Sequence, residues 1–147
     1  MYTTLQFIHS YWAYLVLFMV LIATLNALSG FFGNKEYQSK DLRISLFALI
    51  VTHIQLVLGF LLYFISPLGF KSISNNGMGA VMKDSLLRLF AVEHITIMIL
   101  AVVLITVGYS KHKKKQEAKT KFKTVAILYT IALILMLSRI PWQQWFA

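Results

Sequence analysis

The amino-acid sequence predicts an all-α integral membrane protein, an up-down bundle of four helices with both termini outside the membrane. Three observations lead to this fold class: few charged residues, four apolar segments of membrane-spanning length, and an uneven distribution of basic residues between the connections. Hydrophobic residues make up 59% of the chain and charged residues 13%, whereas an ordinary soluble domain has about 25% charged residues. The 147 residues are expected to form a single transmembrane domain, 1–147.

Four segments are long and apolar enough to cross a bilayer, which takes roughly 20 residues in a helix. They are residues 5–32, 44–65, 86–109 and 125–145. Pro141 lacks a backbone N–H and is expected to end or kink the last helix near the outer surface. Between the second and third segments, residues 78–84 fit either a short helix at the membrane surface or a simple linker.

Basic residues distinguish the two sides of the membrane. The connections 33–43 and 110–124 together carry ten of the 14 lysines and arginines, and the rest of the chain carries four. By the positive-inside rule, the lysine-rich connection 110–124 faces the cytoplasm and both termini face out. The lysines therefore indicate topology and attraction to anionic lipid rather than nucleic-acid binding. His112 is expected to belong to this solvated run.

The other three histidines, His9, His53 and His94, lie within the apolar segments. An ionisable side chain inside a bilayer is costly and usually marks a functional site. His9 and His94 each lie on a helical stripe of mostly small residues, and His53 lies beside a small, polar stripe. The three stripes are His9, Ala13, Val16, Val20, Ala23, Ala27 and Gly30; Ser45, Ala48, Thr52, Gln55, Gly59 and Tyr63; and Leu87, Ala91, His94, Met98, Ala101, Ile105 and Gly108. Such stripes let membrane helices approach closely and leave room for a flat cofactor.

Histidine is the usual protein ligand of haem iron, so these three residues are the candidate iron ligands. A His9–His94 pair and a deeper His53–His94 pair both agree with depths estimated from about 1.5 Å of rise per residue, and His94 is common to both. The alternatives are a structural hydrogen bond, a proton or quinone site, and a non-haem metal site. A metal site of that kind needs more ligands than Glu93, the one carboxylate within a segment, supplies.

Cationic side chains near the same surface are candidate partners for the two haem propionates. Arg139 and Arg88 both lie at the outer end of the bundle, and Arg139 is the better placed because it lies late in an otherwise apolar helix. The alternative for Arg139 is snorkelling to the lipid headgroups. Glu93 points about 100° away from His94 on the helix and is expected to pair with Arg139 or Arg88.

Short motifs along the chain together resemble a known family. They are Phe7-Ile8-His9-Ser10 with Trp12, Thr52-His53-Ile54-Gln55-Leu56 with Gly59 and Tyr63-Phe64, Val92-Glu93-His94, Gly108, and Ile140-Pro141-Trp142. As a set they are similar to the small four-span inner-membrane proteins of Bacteroidetes that are commonly labelled "cytochrome B". The resemblance covers nearly the whole chain and implies haem b and electron transfer. Arg139 departs from the small or apolar residue expected in such relatives.

A more distant similarity is to the four-span protoporphyrinogen oxidase of bacteria. His9 followed by Trp12 fits that family, which has a histidine near the start of its first helix followed by a tryptophan. The lysine characteristic of that family has no counterpart here, because the third segment contains no lysine.

The resulting hypothesis is a multi-pass haem-b protein of a bacterial inner (cytoplasmic) membrane that transfers single electrons. Quinol is a candidate donor, and the chain would act alone, as a homo-oligomer or as a subunit of a respiratory complex. Two imidazole ligands make the iron six-coordinate, which favours electron transfer over oxygen binding. The alternatives are a porphyrin-oxidising enzyme and a cofactor-free accessory subunit, and whether the chain is an enzyme stays open.

The predicted topology is tested by labelling single cysteines introduced into this cysteine-free chain. A membrane-impermeant reagent added from the periplasmic side should reach a cysteine in the connection 66–85 and miss one in 110–124. Labelling only after the membrane is permeabilised is the control for the second position. The reverse pattern would contradict the orientation.

Overall fold

The computed structural model describes residues 1–146, which form helices joined by short connections. Four long helices build the bundle: span 1 (Tyr2–Phe32), span 2 (Ser39–Ile65), span 3 (Ser85–Lys113) and span 4 (Ala118–Ser138). Short helices at Phe70–Asn76 and Met78–Lys83 connect spans 2 and 3, and another, Trp142–Trp145, follows span 4. The described residues contain no strand, and the predicted all-α four-helix bundle is confirmed.

Successive spans run up and down around a core of small side chains. Span 1 packs on spans 2 and 4, span 3 packs on span 4, and the seam between spans 2 and 3 is less extensive. We call the end with both termini the terminal end, and the end with connections 33–38 and 114–117 the lysine end. The predicted stripes face inwards, and their fully buried members include Val20, Ala23, Ala27, Ala48, Ala101 and Ile105. Small residues at these positions allow close packing of the helices.

The outer surface of the bundle is strongly apolar. Large exposed hydrophobic side chains occur on every span, among them Phe18, Leu25, Phe47, Leu61, Leu100, Val103, Ile131 and Ile134. Monomeric soluble proteins rarely expose continuous apolar surface of this extent. All four spans are long and apolar enough to cross a membrane, so the chain is a multi-pass membrane protein.

Spans 2 and 4 begin earlier than the apolar segments, at Ser39 rather than 44 and at Ala118 rather than 125. At the start of span 2, the Asp41 carboxylate accepts hydrogen bonds from the backbone N–H of Gln38 (2.8 Å) and from Nδ2 of Asn26 (2.9 Å). A carboxylate in the first turn satisfies free N–H groups and interacts favourably with the helix dipole. The first turns of spans 2 and 4 are polar, so they lie outside the segments that hydropathy detects.

The predicted end of the last span at residue 145 is wrong, because span 4 ends at Ser138. Pro141 has no N–H to donate and disfavours helical geometry in the residue before it. Arg139 has already left the helix, with φ −129° and ψ 18°, and the chain resumes a short turn at Trp142. Backbone carbonyls at such a helix end have no intrahelical partner, and the carbonyl of Arg139 is free to bind elsewhere.

The short helix Met78–Lys83 confirms the helical alternative for residues 78–84. Val81 is fully buried beneath it, and Ser72 in the preceding helix is 2% exposed. Nη1 of Arg88 donates to the carbonyl of Met82 (2.7 Å) and ties this helix to the start of span 3. The connection therefore folds back against the terminal end.

Close packing at the lysine end is tested by Gly30→Ala. A Cβ atom at Gly30 would lie 2.5 Å from the ring of Phe122, a buried side chain that has little room to move. Overpacking of this kind typically costs about 1–3 kcal/mol, so thermal unfolding in detergent should occur at a lower temperature. Gly79→Ala is the matched control, because a Cβ there meets nothing within 4 Å. Equal unfolding temperatures for the two variants would contradict the packing.

Candidate functional site

His9 and His94 meet at the terminal end of the bundle. His9 lies in the first turns of span 1, and His94 lies about two turns into span 3. Their ring centroids are 6.3 Å apart and their planes are inclined at 79°. Of the two pairs that the sequence left open, the structure brings together the His9–His94 pair.

The His94 ring is held by the broken end of span 4. Nδ1 of His94 lies 2.8 Å from the backbone carbonyl oxygen of Arg139. A carbonyl oxygen only accepts hydrogen bonds, so Nδ1 carries the proton and Nε2 keeps its lone pair. Histidines that bind metals typically have their other ring nitrogen bound to a carbonyl or carboxylate in this way. This bond fixes the orientation of the His94 ring and leaves the lone pair of Nε2 unused by Arg139.

The His9 ring packs against span 2 at Gly59. A Cβ atom at Gly59 would lie 3.3 Å from Cε1 of His9, so any larger residue there would crowd the ring. One turn earlier, Nε2 of Gln55 donates to the backbone carbonyl of His9 (2.9 Å). Nδ1 of His9 and Oε1 of Gln55 are both buried, and neither has a hydrogen-bond partner within residues 1–146. This part of the site holds polar atoms whose bonding capacity is unused.

An ion triad lies next to the histidine pair. Glu93 binds Nε of Arg88 at 3.0 Å and approaches Nε of Arg139 at 3.8 Å, which confirms the expected pairing of Glu93 with these arginines. The side chains are 31–45% exposed, so the triad adds little to stability. Two guanidinium groups face one carboxylate, and the triad keeps a net positive charge available to an anionic group.

A π-helical turn at Leu89–Glu93 makes the Arg88–Glu93 pair geometrically accessible. Residues five apart lie on different faces of an α-helix, but a π-helix closes its hydrogen bonds between residues i and i+5. The π turn therefore places Arg88 and Glu93 on one side, directly before His94. Insertions of this kind occur frequently at functional sites, and no hydropathy pattern reveals them.

The structure does not bring His53 and His94 together. His53 is exposed on the bundle surface, and its Nδ1 donates to the carbonyl of Leu49 in its own helix (2.8 Å). Nε2 of His53 lies 3.4 Å from Oγ1 of Thr106, a residue that follows His94 by about 18 Å along span 3. His53 and His94 are therefore not paired in this structure, because span 2 places His53 beside Thr106.

The expectation that His112 lies in a solvated lysine run is also wrong. Its side chain is fully buried, because the last turn of span 3 packs under the connection 33–38. Nδ1 of His112 is bound to the carbonyl of Tyr109, so the hydroxyl of Tyr37 donates to Nε2 at 2.6 Å. Burial raises the pKa of the Tyr37 phenol to about 12, and the phenol therefore stays protonated as a donor at neutral pH.

Two residues that make these hydrogen bonds, Gln55 and Tyr37, were not predicted from the sequence. Gln55 was placed on an inward stripe but not identified as a site residue, although an amide in the middle of an apolar helix was a usable signal. Tyr37 had no comparable signal, because an aromatic residue in a short polar connection has no pattern that predicts its partner.

Comparisons of the chain with family models, with curated proteins and with solved structures find no match. The resemblance to the "cytochrome B"-labelled proteins therefore stays a prediction.

The buried Tyr37–His112 hydrogen bond is tested by Tyr37→Phe. This change leaves Nε2 of His112 buried without its donor, which typically costs about 1–3 kcal/mol of unfolding free energy. Tyr11→Phe is the control, because Tyr11 is 61% exposed and should not affect stability. A double cycle with His112→Leu should show that Tyr37→Phe costs much less once the imidazole is gone. Equal costs in both backgrounds would contradict the bond.

Proposed function

We propose that this protein binds haem b at the terminal end of the bundle and transfers single electrons in a bacterial inner (cytoplasmic) membrane. His9 and His94 are the proposed axial ligands. The observation that carries the proposal is the His9–His94 pair, with Nδ1 of His94 held by the Arg139 carbonyl. Bound haem would supply a six-coordinate iron that exchanges one electron at a time.

The separation of the two rings supports this assignment. A histidine nitrogen binds a metal at about 2 Å, and the ring centre lies about 1 Å further back, so two imidazoles on opposite sides of one ion have centres about 6 Å apart. The observed centroid separation is 6.3 Å. The buried, unpartnered Nδ1 of His9 also shows that this ring is not fully used by contacts within the described chain.

The charges around the pair support an anionic ligand. Arg88 and Arg139 share a single carboxylate, Glu93, so the cluster has positive charge left for the propionates. In this proposal the guanidinium of Arg139 binds a propionate, while its backbone carbonyl orients His94. The two roles use different atoms of one residue and are separable by mutation.

The membrane orientation belongs to the same proposal. The lysine end carries the lysine-rich connection and faces the cytoplasm by the positive-inside rule, so the histidine pair lies towards the outer surface. Quinol dissolved in the bilayer is the proposed electron donor. A second membrane subunit or another copy of the chain is the proposed route for onward transfer.

Haem binding is tested by visible spectra of the purified protein, oxidised and reduced, after expression with adequate haem supply. The parent protein should show a low-spin b-type spectrum. His94→Ala and His9→Ala should each abolish it, leaving five-coordinate or haem-free protein. His53→Ala is the matched control, because His53 lies outside the pair and should keep the full spectrum. A colourless parent protein would refute the proposal, and turnover of protoporphyrinogen would favour a porphyrin enzyme instead.

The proposed role of Arg139 is tested by Arg139→Leu, which keeps the backbone carbonyl that holds His94. Loss of positive charge beside the propionates should lower haem affinity or shift the midpoint potential downward. Arg43→Leu, at the lysine end, removes the same charge far from the pair and should change neither quantity. If Arg139→Leu has the haem affinity and the midpoint potential of the parent protein, the Arg139 side chain binds no propionate and instead extends to the lipid headgroups.

A further inference from the structure

Gln55 is a polar residue in the middle of span 2, and only one end of its amide has a partner. Its Nε2 donates to the backbone carbonyl of His9, and because a carbonyl only accepts, the amide cannot be turned around. Oε1 of Gln55 is therefore the free atom of the amide, and it is buried without a partner among the described residues. A buried acceptor without a partner is unfavourable, so this oxygen is available to bind a donor.

The residue that Gln55 already contacts carries an unused polar group on its ring. Nδ1 of His9 is buried and unpartnered in the part of the chain that the structure describes. Other polar side chains nearby already have partners: Nε1 of Trp12 donates to the carbonyl of Val51, and the hydroxyl of Tyr63 donates to that of Ala91. His9 Nδ1 and Gln55 Oε1 are thus the buried, unpartnered atoms on the facing parts of spans 1 and 2 at this end, while Ser72 Oγ is a third in the connection between spans 2 and 3.

A difference between the two histidines gives this pairing a chemical meaning. His94 already has an acceptor for its Nδ1 proton, the carbonyl of Arg139, and so presents Nε2. His9 has no such acceptor in the described structure. A metal-binding histidine almost always donates its second ring N–H to a carboxylate, carbonyl or water, which selects the tautomer and raises the basicity of the ligand.

We propose that Gln55 is the positioning residue of His9: its Oε1 accepts the Nδ1 proton of His9, so that His9, like His94, presents Nε2 to the ligand between them. This inference rests on the proposed haem site. Both polar atoms of the Gln55 amide would then bind His9: Nε2 donates to its backbone carbonyl, and Oε1 accepts from its ring. Oε1 of Gln55 and Nδ1 of His9 are not bonded in this structure. The bond would form when the ligand is held, with the His9 ring lying against Gly59, one turn from Gln55.

The test compares Gln55→Met with Gln55→Glu in the full-length haem-loaded protein. Methionine and glutamate both lack the Nε2 donor to the His9 carbonyl, so the comparison between them isolates the acceptor. Methionine keeps a similar volume but has no acceptor oxygen, so haem affinity should fall by roughly 10–100-fold. The midpoint potential should rise, because His9 becomes a weaker electron donor to the iron. Glutamate keeps an acceptor oxygen in either protonation state and should retain haem, with a potential no higher than that of the parent protein.

Thr130→Val is the matched control, since Oγ1 of Thr130 is another buried, unpartnered group within residues 1–146. It should leave haem affinity and potential unchanged. A Gln55→Met protein with the affinity and potential of the parent, when His94→Ala has lost haem, would overturn the role of Gln55 alone. A parent protein that binds no haem would overturn the proposed function and this inference together.

Discussion

The hydrogen bond between Nδ1 of His94 and the carbonyl of Arg139 is the interaction on which the terminal end of the bundle depends. It exists because span 4 ends before Pro141 and leaves a carbonyl without an intrahelical partner. The same bond joins span 3 to span 4, orients the imidazole and places the Arg139 side chain beside Glu93. The helix break before Pro141 thus provides the carbonyl that binds His94.

Lipid imposes a general constraint on every other polar group in the spans. With no water available, buried donors and acceptors must bind each other. Many bind a carbonyl of their own helix, and three aromatic side chains bind a backbone carbonyl of a neighbouring span. Trp12 binds Val51, Tyr63 binds Ala91 and Tyr129 binds Ser45. These bonds link helices that have no hydrophobic driving force for association, because lipid is as apolar as the helix surfaces. Five buried polar atoms in the described residues are exceptions, and two of them, on His9 and Gln55, belong to residues in direct contact; the others are on Thr24, Ser72 and Thr130.

The histidines at the two ends of the bundle differ in how many of their ring nitrogens are hydrogen-bonded. At the lysine end, His112 has both ring nitrogens bound and closes the connection 33–38 over the helix ends. At the terminal end, His9 and His94 each keep bonding capacity and lie beside a positively charged triad. A fully bound imidazole holds a fold together, whereas a partly bound one is available to a ligand. This contrast separates the structural histidine from the proposed ligands.

The sequence by itself determined the four helices, their inward stripes and the presence of polar residues at membrane depth, because hydropathy and the helical period act locally along the chain. It also predicted the pairing of Glu93 with arginine. Only the tertiary structure decided which histidines meet, because depth depends on how each helix starts, ends and packs. The early start at Ser39, the π turn at Leu89–Glu93 and the break at Arg139 all shift side chains around or along the helix axes. The start at Ser39 and the break at Arg139 have local causes, the Asp41 cap and Pro141. Which side chains they bring together depends on packing between residues distant in sequence, which no local pattern records.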